Sequence, residues 1–286
     1  MIGASLASAV VRHAVNLPPF GAFADPAVLV ELAVAADEAG WDGLFLWDHI
    51  IRTHEPARAE AADPWIVLAA MATVTERIRL GPMITPLARR RPQKVARETV
   101  TLDHLSGGRL TLGVGLGVNS GGELDRFGEE ADDKARAGRY DEALGLLLDL
   151  WSGEVVDHDG PHFTARDVRF LPRPLQQPRI PLWGAAMSRS AKPVRRAARL
   201  DGLFPVATTL DQLGTMLEIV TDERGSLDGY DVVIEATPDA DLDDYAARGI
   251  SWVMRVVDDT QSPAAVIASI ADGPTGPLTG FVNNSD

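Results

Sequence analysis

Short apolar runs alternate along the chain with segments in which apolar residues recur at helical spacing. The clearest example spans residues 78–119. Its two ends, 78–87 and 109–119, lack polar alternation, which is typical of strands buried on both faces. The middle carries an amphipathic stripe and ends at Ser106-Gly107-Gly108. This order predicts a strand–helix–strand unit, which requires parallel strands.

The same alternation continues through most of the chain. The predicted strands are 13–18, 42–48, 78–87, 109–119, 180–185, 202–206, 231–236 and 251–257. Three of the intervening helices begin with a capping residue followed by proline, at Asp25-Pro26, Asp63-Pro64 and Ser262-Pro263. Eight strands alternating with helices predict an α/β protein with a single (β/α)8 TIM barrel, and not an open doubly wound sheet.

Three segments fall outside this alternation. Residues 152–179 contain several prolines and form an insertion between strands four and five, with a small hairpin expected in 162–172. Residues 1–11 are an N-terminal extension, and 274–286 are expected to be a flexible tail. The whole chain, 1–286, is expected to form one domain that includes these three segments.

Composition narrows the class of protein. The chain has 286 residues, 45% of them hydrophobic and 24% charged, which suits one large domain with a substantial core. It has no cysteine, so disulfides and thiolate metal sites are excluded, and a cytoplasmic location is expected. The net charge of −14 argues against binding to nucleic acid. No apolar run is long enough to span a membrane, and no metal-ligand motif is present.

Candidate chemistry lies where the predicted strands end, because parallel barrels bind ligands at the carboxyl ends of their strands. Strand two ends in Asp48-His49 and strand three in Thr85-Pro86. Strand four ends in the glycine run 113–117, followed by Asn119. The run is no dinucleotide fingerprint, because its glycines lie within a strand. They have two explanations, relief of crowding in a closed sheet or close approach of a flat ligand.

Four phrases carry a resemblance to a known family: LAVAADEAGWDGLFLWDH (32–49), TERIRLGPMITPL (75–87), RRRPQKVARETVTLDHLSGGRLTLGVGLG (89–117) and LPRPLQQPRIPLWGA (171–185). Together they resemble the bacterial luciferase-like monooxygenases, and in particular the branch that uses the deazaflavin coenzyme F420. The resemblance covers most of the chain and implies hydride transfer between coenzyme F420 and a small organic substrate. Two alternatives stay open, an FMN-dependent monooxygenase and a non-catalytic flavin-binding barrel.

The resemblance also implies roles for individual residues. His49 and Asp48 would be catalytic and contact the coenzyme ring. The ring would rest on backbone at strand ends three and four, where a non-proline cis peptide often occurs in the family, and its phosphate would bind after strand five. These cofactor-binding positions are Met83, Ile84, Thr85, Gly115, Gly117, Gly184, Ala185 and Ser188. The substrate pocket would include Trp47 and Asn119, and Trp183 is a further candidate for ligand contact.

One departure from the family concerns an acid. Many deazaflavin relatives carry an acidic residue near the end of strand four, but residues 116–119 read Leu-Gly-Val-Asn. This departure argues against a sugar-phosphate dehydrogenase. The basic cluster 89–91 is interpreted as a solvated rim, from which at least one arginine could meet a polyanionic coenzyme tail or an acidic substrate. A homodimer is expected, paired through apolar faces that include Trp65, Leu68, Met71 and Val95.

Overall fold

Parallel strands and surrounding helices account for most of the described chain. The computed structural model describes residues 11–51, 60–187, 190–236, 241–275 and 281–282. The strands are β1 (Arg12–Leu17), β2 (Gly43–Leu46), β3 (Arg79–Pro82), β4 (Thr85–Pro86), β5 (Leu112–Gly115), β6 (Val155–Asp159), β7 (Thr164–Arg169), β8 (Leu182–Ala186), β9 (Gly202–Pro205), β10 (Asp231–Glu235), β11 (Trp252–Val257) and β12 (Phe281–Val282). The helices are α1 (Pro26–Glu38), α2 (Pro64–Val74), α3 (Pro92–Leu105), α4 (Asp133–Trp151), α5 (Ala191–Ala197), α6 (Leu210–Arg224), α7 (Leu242–Ala247) and α8 (Pro263–Ala271).

The parallel strands form a closed barrel. Their order is β3-β2-β1-β11-β10-β9-β8-β5-β4, and a bridge from Leu80 to Leu110 joins the two ends. Because β3 and β4 are two halves of one barrel strand, interrupted at Met83-Ile84, the ring has eight positions. The expected (β/α)8 barrel is therefore confirmed. Among the described residues, no helix has both the length and the hydrophobicity needed to cross a bilayer.

The predicted helix starts are confirmed at the level of individual hydrogen bonds. The Asp25 side chain accepts from the backbone N–H of Ala27, and Ser262 accepts from that of Ala265. The side chain of Asp63 accepts two backbone N–H groups at the start of α2. Each cap satisfies donors that a helix cannot pair internally, and the proline that follows already has a helical φ. These signals lie within a few residues, so the sequence alone is sufficient to find them.

The insertion between β5 and β8 contains a hairpin that is larger than expected. Its second strand, β7, lies in the predicted segment, but its first strand is Val155–Asp159, outside 162–172. β6 was missed because only Val156 is buried in it. The hairpin is held to α4 by the Glu142 carboxylate, which accepts the backbone N–H groups of His162 and Phe163 at 3.0 and 2.9 Å.

The described part of the carboxyl-terminal segment is paired. Phe281 and Val282 pair antiparallel with Val257 and Val256 of β11, and the Phe281 ring lies 6.2 Å from that of Trp41. This stretch falls within the segment expected to be a flexible tail. Residues 276–280 and 283–286 of that segment, and residues 1–10 of the expected extension, lie outside the described residues.

Two sequence-based assignments to surfaces were wrong. Trp183 does not line the cavity at the barrel mouth. It packs in the barrel interior 5.2 Å from Trp252, and its indole N–H donates to Asp231 Oδ2 at 3.1 Å. The apolar residues expected at a dimer interface are buried within this chain, at exposures of 6%, 0%, 0% and 0% for Trp65, Leu68, Met71 and Val95. Their stripe packs α2 and α3 onto the barrel.

Close approach between barrel strands explains several glycines. A Cβ on Gly81 would lie 1.8 Å from the carbonyl oxygen of Thr111. A Cβ on Gly113 would lie 2.5 Å from Met83 Sδ and 2.8 Å from the carbonyl oxygen of Pro82. Of the two explanations open for the glycine run, crowding inside the closed sheet is therefore real at Gly113. A side chain here would push apart the strands that close the barrel.

We expect Gly81→Ala to lower the free energy of unfolding by at least about 2 kcal/mol, because the added methyl group meets backbone that cannot rotate away. Gly145→Ala is a matched control, since Gly145 is exposed in the middle of α4 and its added Cβ meets nothing within 4 Å. The control should keep or raise stability by up to about 1 kcal/mol. Denaturant unfolding followed by circular dichroism measures both. Equal stability of the two variants would contradict the prediction.

Candidate active site

A cavity of about 600 Å³ opens at the carboxyl ends of the barrel strands. Its size falls within the usual range for small-molecule and cofactor sites, about 300–1,000 Å³. Most of the predicted site residues line it. They are Trp47, Asp48, His49, Met83, Ile84, Gly115, Gly117, Asn119, Gly184 and Ala185. Thr85 is fully buried and is not among the lining residues. Ser188 lies outside the described residues.

Asp48 borders this cavity, but its carboxylate is bound by the protein itself. Oδ2 accepts the indole N–H of Trp65 and the hydroxyl of Thr85, each at 3.0 Å. Oδ1 accepts from Arg90 at 2.7 Å and lies 3.8 Å from the Arg89 guanidinium. The side chain is only 2% exposed. These contacts join the end of β2 to α2, β4 and the turn after β4, so Asp48 holds the rim together.

His49 is paired with an acid that the sequence analysis missed. Its Nδ1 lies 2.7 Å from Glu123 Oε2, and Glu123 Oε1 accepts the backbone N–H of Ile50 at 2.7 Å. Arg89 also donates to Oε1. Burial disfavours the charged form of this carboxyl group, but the bonds and charges of His49, Ile50 and Arg89 outweigh it and lower the pKa of Glu123. A charged acceptor at Nδ1 fixes the ring and leaves Nε2 as the nitrogen that can exchange a proton.

The interpretation of residues 89–91 as a solvated rim was wrong for two of the three arginines. The Arg89 side chain is 6% exposed and lies between the carboxylates of Asp48 and Glu123. Arg90 is paired with Asp48, and its guanidinium lies 5.2 Å from the centre of the Trp65 ring. Buried guanidinium groups need such partners, because an unpaired charge in the interior is unfavourable. The sequence showed three adjacent cations, but not the two distant acids that bury them.

The wall at strand positions three and four, called the flat wall below, is formed by Met83, Ile84, Gly115 and Gly117, and its two glycines project no side chain into the cavity. The expected non-proline cis peptide is present at Met83-Ile84. A Cβ on Gly115 would lie 2.5 Å from Ile84 Cδ1, and Gly117 has φ +79°, a conformation that favours glycine. The glycines thus let β5 lie close against Met83 and Ile84. The resulting surface has the shape on which a planar ligand could rest.

Two further segments complete the mouth. Asn119 folds the loop after β5 by accepting the backbone N–H of Leu124 at 2.8 Å, while its amide donates to Asp125. Gly184 lets α5 lie close to β8, since an added Cβ would lie 2.7 Å from Ala197 Cβ. Ser190 caps α5, accepting from the N–H of Lys192.

A second polar pair was also missed. Asn16 Nδ2, at the end of β1, donates to Glu235 Oε1, at the end of β10, at 3.0 Å. Both residues line the cavity. Each stands two residues after an interior position of its strand, so period-two alternation could have identified them as facing inward. Glu123 offers no such signal, because it lies in a loop 74 residues from His49.

The site therefore combines a flat apolar wall, an imidazole held by a buried carboxylate and a polar pair on another wall. In the described part of the chain, no three histidine, aspartate or glutamate side chains are grouped as metal ligands. The arrangement suits binding of an organic cofactor and transfer of a proton through His49.

Fold and site together define a barrel with an organic-ligand cavity at the carboxyl ends of its strands. The sequence model of the luciferase-like monooxygenases matches residues 5–266. The chain belongs to this luciferase-like monooxygenase family.

Several relatives and solved structures are similar to the chain. An F420-dependent glucose-6-phosphate dehydrogenase of Beutenbergia cavernae is 40% identical over 181 residues, 63% of this chain and 52% of the relative. Another F420-dependent glucose-6-phosphate dehydrogenase, from Nakamurella multipartita, is 32% identical over 227 residues, which is 76% of this chain and 65% of the relative. The chain thus spans about half to two thirds of these relatives. Among solved structures, the coenzyme F420-dependent tetrahydromethanopterin reductase of Methanopyrus kandleri has a TM-score of 0.72 at 18% identity. The match covers 92% of this chain and 98% of the reductase. An FMN complex of a type II Baeyer–Villiger monooxygenase component from Pseudomonas putida has a TM-score of 0.74 at 16% identity, covering 96% and 99%.

Replacement of the buried Asp48 should be strongly destabilising. In Asp48→Ala the guanidinium groups of Arg89 and Arg90 lose a carboxylate partner and remain largely buried. We therefore expect a loss of about 3–5 kcal/mol in the free energy of unfolding. Asp159→Ala is the control, because Asp159 is 79% exposed and lies 3.9 Å from Arg166. It should change stability by less than about 1 kcal/mol. Urea unfolding of both variants measures the two changes in the free energy of unfolding. A loss below about 1 kcal/mol in Asp48→Ala would contradict the structural role of Asp48.

Proposed function

We propose that the protein is an oxidoreductase that transfers hydride between coenzyme F420 and a small organic substrate. The observation that carries the proposal is the pairing of His49 with the buried carboxylate of Glu123 at the mouth of the cavity. This pair supplies a positioned proton donor or acceptor beside a wall that suits a flat ring. A barrel that only bound flavin would have no use for it.

The residues of the cavity fit the coenzyme. Ile84 and Gly115 line the flat wall that a deazaflavin ring would cover, and the absence of a side chain at position 115 lets Ile84 and Ala185 pack against β5 there. The loop after β8, with Ala186, Met187 and Ser190 along the cavity, would hold the phosphate, together with Ser188. When bound, the coenzyme supplies the hydride acceptor or donor, and the protein supplies orientation and the proton.

His49 would move the proton that accompanies the hydride. Its Nδ1 is bound to Glu123, so Nε2 would accept the proton when an alcohol is oxidised and return it when a carbonyl is reduced. Trp47 lines the same cavity with its ring 6.1 Å from that of His49, and would limit access of water. Asp48, by holding Arg89 and Arg90, would keep this arrangement rigid.

The choice of coenzyme is supported by the relatives at 30–40% identity whose names state dependence on F420. An FMN-dependent monooxygenase remains the alternative, since the fold is shared with an FMN-binding neighbour. Glucose 6-phosphate is not carried over as the substrate, because residues 116–119 contain no acid at the place where the sugar-phosphate dehydrogenases are expected to have one. The acid of this loop, Glu123, lies further along the chain and is paired with His49 and Arg89.

We expect the purified protein to bind coenzyme F420 at least tenfold more tightly than FMN, a difference of about 1.4 kcal/mol. Quenching of the intrinsic fluorescence of each coenzyme during titration measures both affinities. A yellow preparation that contains bound FMN, or tighter binding of FMN than of coenzyme F420, would contradict the assignment of F420 as the coenzyme.

His49→Ala should remove turnover far more than coenzyme binding. General acid–base help is worth about 10²–10⁴-fold, so kcat should fall by that factor. Affinity for coenzyme F420 should fall by less than about tenfold, because the wall formed by Met83, Ile84 and the glycines of β5 remains. His104→Ala, on the exposed face of α3, is the control and should change neither quantity. An unchanged kcat in His49→Ala would show that His49 has no part in the chemistry.

A homodimer is proposed from a different surface than the one first expected. On the outer face of α2, Ile66 is 74% exposed, Val74 is 47% exposed, and Ala70 lies exposed between them. This stripe at i, i+4 and i+8 has the pattern of a contact face.

The lack of cysteine is compatible with the cytoplasm, the proposed location.

If α2 forms the interface, Ile66→Asp should convert the dimer to a monomer at micromolar concentration, because the charge would be buried without a partner. Light scattering coupled to gel filtration gives the mass. Val155→Asp introduces the same charge at a valine 56% exposed on the hairpin and should leave the mass unchanged. A monomeric wild-type protein would refute the proposal.

A further inference from the structure

The Asn16–Glu235 pair stands on the inner face of the barrel. Ala14 and Val233, two residues earlier on the same strands, belong to the apolar cluster in the barrel interior. Alternation along a strand therefore directs Asn16 and Glu235 inward as well, and both line the cavity. The neighbouring lining residues on β9 and just after it, Phe204 and Val206, are apolar. The pair is thus a small polar spot on an otherwise apolar wall.

The Asn16 amide has a fixed orientation. A carboxylate only accepts hydrogen bonds, so the group that faces Glu235 Oε1 at 3.0 Å must be the NH2. The carbonyl oxygen, Oδ1, then points elsewhere. Asn16 is 1% exposed, and Oδ1 has no hydrogen-bond partner within the described structure. A buried acceptor without a donor is unfavourable, and a donor on a ligand would satisfy it.

The pair lies across the cavity from the flat wall. In the eight-position ring, β10 is four positions from β3–β4 in either direction. Glu235 therefore ends the strand opposite Met83 and Ile84. A planar group on that wall would leave the side of Asn16 and Glu235 to a second molecule.

The charges around the cavity select against an anionic second molecule. The terminal nitrogens of Arg136 donate to the carbonyl oxygens of Leu116 and Gly117 and to Asp133. Arg196 is paired with Asp141. Both guanidinium groups are therefore already paired with carboxylates, with only Arg136 Nε lacking a partner among the described atoms. The carboxylate of Glu235 borders the same space beside Asn16.

We infer that Asn16 and Glu235 form a substrate subsite that takes a hydroxyl group of an uncharged, largely apolar molecule. The hydroxyl donates to Asn16 Oδ1, and the carboxylate of Glu235 holds the Asn16 amide and excludes anions. The inference rests on the proposed function for its statement that the occupant is the substrate. It also assigns this wall to the substrate and not to the coenzyme.

Three probes of similar size test the subsite on the purified protein without coenzyme, so that no turnover occurs. Cyclohexanol carries a donor, cyclohexanone only an acceptor, and cyclohexanecarboxylate a negative charge. Ligand-observed NMR titration should show cyclohexanol binding at least about fivefold more tightly than cyclohexanone. The carboxylate should bind most weakly. Equal or tighter binding of the ketone by the wild-type protein would by itself overturn the inference.

Variants assign the effect to the pair. Asn16→Leu should abolish the preference for the alcohol over the ketone. Glu235→Gln should relieve the exclusion of the carboxylate, whereas Asp159→Asn, which removes a charge from a residue 79% exposed on the hairpin and away from the cavity, should not. A preference that persists in Asn16→Leu contradicts the assignment, and circular dichroism shows whether that variant is folded.

Coenzyme titration separates this inference from the proposed function. Asn16→Leu should bind coenzyme F420 within about threefold of the wild-type affinity. A loss of tenfold or more, with the probe preferences unchanged, would show that the pair contacts the coenzyme and would overturn the subsite. A wild-type protein that binds no coenzyme would refute the proposed function, while the order of the three probes would still decide on the subsite.

Discussion

Two buried carboxylates hold the mouth of this barrel in shape. Asp48 and Glu123 share the Arg89 guanidinium between them, and each also binds partners from other segments. Through Asp48 the end of β2 is tied to Trp65 and Thr85, and through Glu123 the loop after β5 is tied to His49 and Ile50. The two carboxylates thus join a strand end, a helix and two loops. Because buried charges are tolerated only in mutual contact, the ion pairs bring the loops together.

The alternation of side chains along one short segment then separates structure from chemistry. Trp47 and His49 line the cavity, while the carboxylate of Asp48, between them in sequence, is bound by Trp65, Thr85 and Arg90. A single residue of register decides which carboxylate or imidazole meets a ligand. The rigidity supplied by Asp48 and the reactivity assigned to His49 thus belong to adjacent residues at the same rim: the Asp48 carboxylate is bound by the protein, and His49 is paired with Glu123.

What could be predicted from the sequence follows from the distance over which each interaction acts. The caps of α1, α2 and α8 depend on neighbours two or three residues away, and all were found. The barrel itself follows from repeated local patterns. The pairing of His49 with Glu123 and of Asn16 with Glu235 joins residues 74 and 219 positions apart, and no local pattern reports it.

The sequence-based predictions that were wrong also failed because of contacts between residues distant in the chain. Arg89 and Arg90 were assigned to solvent because adjacent cations usually repel one another and are hydrated, and the distant Asp48 and Glu123 reversed that expectation. Trp65, Leu68 and Met71 form an apolar face that the sequence could not distinguish from an interface between subunits. A pattern shows that a face is buried, but only the fold shows what covers it.

The fit between Gly115 and Ile84 also constrains how this family can diverge. The space that a side chain at position 115 would need is occupied by the end of the Ile84 side chain, with Ala185 Cβ next to it at 3.3 Å. An alanine at 115 therefore requires either that the end of the Ile84 side chain turns away or that residue 84 is smaller. The two positions should covary among homologues, and the order of the two substitutions should matter. A substitution at position 115 that destabilises this protein could be neutral in a homologue with a different residue at 84. Exchanging single residues between homologues is therefore a poor guide to which side chains the cavity wall can accommodate.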